Sequence, residues 1–237
     1  MSEHDAAAPT RIALVGATGL VGRTVMEAAV GREDVRIVAI SRREAPMPEG
    51  ARMEMFVADP SEWGEVLKTV RAEVLVSALG TTIRKVGGDK DAFYAVDHDL
   101  VLQTARCALE AGIDRMISVS SVGTDAFSDN FYLKTKGETE KALTKAGFKR
   151  LDLLRPGLLR GTRKADLRPL EGLGRIASPL ADLVLKGKYS KYRSIHASTM
   201  AHAILALAKR KTQGKFMHEH EALQRAASML PEIDTGA

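Results

Sequence analysis

The run Arg11-Ile12-Ala13-Leu14-Val15-Gly16-Ala17-Thr18-Gly19-Leu20-Val21-Gly22 permits few folds. A short apolar stretch ends at a glycine, two more glycines follow at intervals of three, and helix-forming residues continue from 23 to 30. That order is a buried strand, a tight turn and the start of a helix. A turn glycine reaches backbone angles other residues avoid, and a position without a side chain lets the main chain approach a pyrophosphate. The helix then points its free N–H groups and positive dipole end at the phosphates. Glycine-rich turns also close ordinary strand–helix units, and the placement directly after an apolar strand is what points to a dinucleotide.

The alternation continues along the chain. Residues 35–40 read as a β-branched buried strand with Ser41, Arg42 and Arg43 at its end, and 53–57 as a third strand, after which Ser61 is placed to cap a helix to residue 70. A fourth strand, 74–77, leaves through Ala78, Leu79, Gly80, Thr81 and Thr82. A long helix follows over 91–111, then a fifth strand over 115–121, a helix over 131–146 and a sixth strand over 151–154, stopped by Pro156 and Gly157. Strands separated by helices of ten or more residues predict an α/β fold, a Rossmann-type doubly wound parallel sheet. Ligands of such sheets bind beyond the carboxyl ends of the strands, where Gly16, Arg42, Gly80, Ser121 and Pro156 fall. From 157 to 194 basic and glycine-containing segments take over, with a helix expected at 177–185, and predict a small C-terminal substrate-facing lobe. An amphipathic helix over 198–209 and an edge strand over 215–218 complete the expectation.

With 237 residues, 45% of them hydrophobic, the chain can bury one substantial core. We expect a disordered tail over 1–9 and a single domain over 10–237. The formal net charge of +5 arises from cations scattered among nearly as many acids, which speaks against a nucleic-acid partner. The longest apolar stretches, such as 203–208, are too short to span a bilayer, so no membrane partner is expected. Residues 1–9 include Glu3 and Asp5 and lack the apolar core of a signal peptide. Cys107 is the only cysteine, which excludes an internal disulfide and suggests the cytoplasm. Between two alanines of the long helix it reads as a small core residue rather than a nucleophile. His218 and His220 would share one face of a strand, but no third ligand accompanies them, so no metal is expected.

Where NAD-binding units place an acid after the second strand, this chain has Ser41, Arg42 and Arg43. A guanidinium offers a planar fork of donors suited to a 2′-phosphate, so NADP(H) is preferred over NAD(H). Tyr132 and Lys136 are four residues apart on a predicted helix and therefore share a face. A phenol has a pKa of about 10, and a neighbouring ammonium favours its ionised form, so Tyr132 suits a general acid or base. Lys136 would assist it and hold the nicotinamide ribose, and Ser121 would hold the substrate oxygen, with Ser120 as the alternative. The other three tyrosines, Tyr94, Tyr189 and Tyr192, lack a lysine at that spacing.

On these residues the chain resembles the short-chain dehydrogenase/reductase superfamily in its atypical and extended branches. Gly16, Gly19, Gly22, Ser120-Ser121, Tyr132, Lys136 and Leu154-Arg155-Pro156-Gly157 carry the likeness. Leu79-Gly80-Thr81-Thr82, Val96-Asp97 and the run from Asn130 to Glu138 bring it nearest to the Tat-interacting-protein oxidoreductases and their bacterial relatives. The resemblance implies a catalytic Ser121, Tyr132 and Lys136. It implies cofactor contacts from Gly16, Thr18, Gly19, Leu20, Val21, Ser41, Arg42, Arg43, Asp59, Leu79, Gly80, Thr81, Lys136 and Pro156. The function expected is an NADPH-dependent oxidoreductase acting on a small-molecule carbonyl or alcohol, as a monomer or homodimer. The alternatives are an NADPH-binding regulatory protein and an epimerase or dehydratase.

Overall fold

Six β-strands and a seventh from far along the chain build one parallel sheet. The computed structural model describes residues 8–161 and 187–233. The strands are β1 (Thr10–Val15), β2 (Val35–Ser41), β3 (Glu54–Val57), β4 (Val74–Ser77), β5 (Arg115–Val119), β6 (Arg150–Leu154) and β9 (Gly214–His218), in the order β3-β2-β1-β4-β5-β6-β9. Every pairing is parallel. The order reverses between β1 and β4, the crevice where such sheets bind ligands. Two short strands, β7 (Leu159–Arg160) and β8 (Ile195–His196), pair separately.

Alternation along the strands divides the core in two. On one face Ile12, Leu14, Ile37, Val74 and Val76 meet α1 (Leu20–Ala28), α6 (Ala197–Ala208) and α7 (His220–Ser228). On the other, Ala13, Val15, Leu75, Met116 and Leu151 meet α2 (Trp63–Val70), α4 (Leu100–Glu110) and α5 (Phe131–Lys145). Strands covered on both sides read as continuous apolar runs, which is how they appear in the sequence.

Three local expectations are corrected. The long helix is α3 (Lys90–Tyr94), a π-helical turn (Ala95–Asp99) and α4, because one wide turn interrupts a helical path that apolar periodicity shows as unbroken. The cap after β3 is Asp59, not Ser61: its carboxylate accepts from the Ser61 N–H at 3.0 Å, and Glu62 accepts from the Asp59 N–H at 3.1 Å. The helix expected at 198–209 is not two-faced, since nine of its twelve residues are buried. The helix expected at 177–185 lies outside the described residues, as do most of the tail expected over 1–9 and of the lobe expected over 157–194.

Candidate active site

The exits of β1 and β4 are crowded together, Val15 lying opposite Ser77. Gly16 turns the chain there with φ +82°, and a Cβ at this position would overlap the carbonyl group of Ala78. Gly22, on the first turn of α1, lies against the Gly16 carbonyl oxygen, and a side chain would overlap it too. The Gly19 N–H closes the turn onto that oxygen at 3.0 Å. Gly19 is also the N-cap of α1, and no side chain caps this helix, whereas Asp89 and Asn130 cap α3 and α5. Gly16 and Gly22 thus let the turn pack directly against the exit of β4 and the start of α1, and the uncapped helix N-terminus that this brings to the switch point fits a pyrophosphate. Thr18 is exposed in the turn, and Leu20 and Val21 open the helix, with the Val21 side chain in the core.

Beyond β2, Ser41 is buried and its hydroxyl accepts from the Arg43 N–H at 3.4 Å, while Arg42 and Arg43 are exposed. Asp59 sits near Arg42. Hydrogen bonds from the Ser61 N–H and hydroxyl, then the Arg42 charge, hold its carboxyl below the usual range. Two hollows of about 300 and 470 Å³ flank the loop between β2 and β3, lined by residues such as Gly31, Arg52 and Met53 or Arg23, Glu27 and Pro48. Neither includes the glycine turn or Tyr132, so the site is defined by its backbone cradle and its side-chain chemistry.

The chemical end is built from β4, the π turn, β5 and α5. Tyr132 is 40% exposed, its ring centroid 5.9 Å from that of buried Phe93. Lys136, one turn along α5, is buried, and its Nζ lies 2.7 Å from Asp97 Oδ1. The other Asp97 oxygen accepts the Thr81 N–H at 2.7 Å. The lysine and the Leu79-Gly80-Thr81 exit of β4 are thus joined through one carboxylate. In the sequence Asp97 stands out only within the Val96-Asp97 stretch of the family likeness and without a role, because an acid on a helix looks like a solvated residue until the π turn buries it.

Ser121 is partly exposed and its hydroxyl donates to the Val122 carbonyl at 3.3 Å. Ser120 is buried, and its hydroxyl has no partner among the described residues. The Ser120 N–H still bonds the Leu154 carbonyl at 2.7 Å, so strand alternation continues to this residue and turns it to the Met116 side, the side of α5. Pro156 is buried and its carbonyl accepts the Val122 N–H at 2.9 Å. Arg155 and Glu140 form a two-pronged pair that ties the end of β6 to α5.

The two histidines do not share a strand face. His218 ends β9 with its Nε2 2.8 Å from Asp152, a buried carboxylate also gripped by the Arg150 fork, and His220 begins α7. Burial, then the Glu110 charge, pushes the Cys107 thiol up, which leaves it a poor nucleophile.

With this geometry, the family model described as NAD(P)H-binding matches residues 16–211. The chain belongs to the NAD(P)H-binding family. This NAD(P)H-binding protein is 36% identical over 171 residues to "Protein fmp52, mitochondrial" of Emericella nidulans, covering 69% of this chain and 72% of that protein. Its sheet superposes on the NAD complex of the Bordetella bronchiseptica enzyme WbmG with a TM-score of 0.64, at 15% identity, covering 92% of this chain and 74% of that one. It also superposes on ChuY, an anaerobilin reductase of Escherichia coli, with a TM-score of 0.57, at 20% identity, covering 88% and 96%. The Rossmann-type fold and an NAD(P)-binding domain are therefore as expected. The cytoplasmic assignment is corrected, because the relative is named for the mitochondrion. A single cysteine excludes an internal disulfide and does not separate one reducing compartment from another.

Proposed function

We propose that the protein is an NADPH-dependent oxidoreductase of the carbonyl reductase or alcohol dehydrogenase type. The observation that carries this reading is that Tyr132 and buried Lys136 stand on one face of α5, across the sheet's switch point from the glycine cradle. Gly16, Gly19 and the first turn of α1 would hold the pyrophosphate, Arg42 and Arg43 the 2′-phosphate, and Leu79, Gly80 and Lys136 the nicotinamide half. Bound NADPH would supply a hydride. Tyr132 donates its phenol proton to the substrate oxygen as the carbonyl becomes an alcohol, and the Lys136 ammonium stabilises the charge left on the phenolate. Ser121, or Ser120 with its unpartnered buried hydroxyl, holds the substrate oxygen. Removing a general acid typically costs about 10²- to 10⁴-fold in rate. Tyr132→Phe should therefore lose turnover by that much while NADPH affinity stays within about twofold, read by steady-state kinetics beside a fluorescence titration. Equal losses in both would mean that Tyr132 binds cofactor rather than moving a proton.

One observation favours a second reading, a protein that binds NADPH and signals its presence with little turnover. Lys136 meets Asp97 and Ser121 donates to the Val122 carbonyl, and among the described residues no hydrogen bond joins either side chain to the Tyr132 hydroxyl. Capture of a partner protein that changes with added NADPH would support it, and capture indifferent to NADPH would count against it.

A further inference from the structure

We propose that Asp97 is a positioning residue, whose carboxylate sets Lys136 with one oxygen and the cofactor-facing loop after β4 with the other. This rests on the reading of Lys136 and Leu79-Gly80-Thr81 as cofactor contacts.

Asp97 is 1% exposed and Lys136 7% exposed, so each charge needs the other to remain buried. Asp97 lies in the π-helical turn Ala95–Asp99, where one extra residue widens the helix. The turn is itself pinned: the Thr139 hydroxyl of α5 donates to the Asp97 carbonyl at 3.1 Å. Gly80 lies directly beside the pair, since a Cβ there would stand in contact with both partners, 3.4 Å from Asp97 Oδ1 and 3.9 Å from Lys136 Nζ. Several neighbouring charges on the packed elements are engaged elsewhere. Glu140 pairs with Arg155, His98 with Asp99, and Lys90 lies 5.4 Å over the Phe131 ring. Asp97 is thus the carboxylate that meets the Lys136 ammonium.

The two oxygens can be separated by substitution. Asp97→Asn keeps an acceptor for the Thr81 N–H and removes the charge facing Lys136, whereas Asp97→Ala removes both. Amide hydrogen exchange at Thr81, followed by NMR without nucleotide, should be at least tenfold faster in Asp97→Ala and near wild type in Asp97→Asn. NADPH affinity, from nucleotide fluorescence, should fall about tenfold in Asp97→Asn. The same substitution made in a Lys136→Met background should change affinity less than twofold, because the residue acts through the lysine. Unchanged NADPH affinity in Asp97→Asn, or an equal penalty with and without Lys136, would overturn the proposal. So would Thr81 exchange equally fast in both single variants. Should Asp97→Ala fail to fold, the Asn variant and its combination with Lys136→Met still decide. None of these readouts requires turnover, so an absence of carbonyl reduction would sink the reductase reading and leave this one standing.

Discussion

At the scale of the residue, the two best-defined demands are steric and electrostatic. Gly22 leaves no room for a methyl group between α1 and the Gly16 carbonyl. Gly22→Ala must push the helix away from the turn, at a cost of about 1–3 kcal/mol by analogy with overpacked cores. It should lower the melting temperature and weaken NADPH binding together, and a variant with unchanged affinity would show that the cradle does not hold the cofactor. Arg42 and Arg43 contribute exposed charge rather than packing. Replacing both by alanine should therefore weaken NADPH by at least about tenfold, or about 1.4 kcal/mol, and leave NADH and stability almost unchanged. Equal losses for the two nucleotides would refute the 2′-phosphate assignment.

At the scale of the element, α5 carries Tyr132 and Lys136, the side chains to which we assign the chemistry, and the Arg155–Glu140 pair ties it to β6. Glu140 is 5% exposed, so removing Arg155 strands a buried carboxylate, which typically costs about 3–5 kcal/mol. Arg155→Ala should unfold at much lower denaturant than Glu140→Gln, which leaves no buried charge on the helix side. The reverse order would mean that the pair contributes little. Strands and helices were legible wherever burial shapes composition. β1, β2, β4, β5 and β6 are apolar because both faces are covered, and α5 is bracketed by its Asn130 cap and Gly147. The π turn was not legible, because its hydrogen-bond shift leaves apolar spacing intact, and so Asp97, though part of the Val96-Asp97 likeness, could not be read as the buried partner of Lys136. The choice between Ser120 and Ser121 was equally closed to the sequence, since it depends on how far β5 keeps its ladder with β6.

At the scale of the whole molecule, the C-terminal segment is bolted to the first strand–helix unit. Asp34, between α1 and β2, receives the Arg32 fork and the Lys209 ammonium, and Arg32 also reaches the Pro231 carbonyl. Burial alone would push Asp34 up, but hydrogen bonds from Arg32 and Lys209, with their charges, bring it down to about 2. A carboxylate depressed in the folded state stabilises above its unfolded pKa near 3.8, and that contribution fades as pH falls toward 2. The group is partly exposed, so the effect is at most about 1 kcal/mol. Asp34→Asn should melt lower than wild type at pH 6, with the gap closing between pH 3.8 and 2; a gap independent of pH would refute the ion-pair account. The proposed carbonyl reduction requires the glycine cradle and α5 to act together. NADPH consumption over a panel of aldehydes, ketones and quinones, with wild type beside Tyr132→Phe and NADH as the cofactor control, tests it most directly. The account predicts turnover that prefers NADPH and disappears with the Tyr132 hydroxyl, whereas turnover that survives Tyr132→Phe, or tight NADPH binding without turnover on any compound, would contradict it.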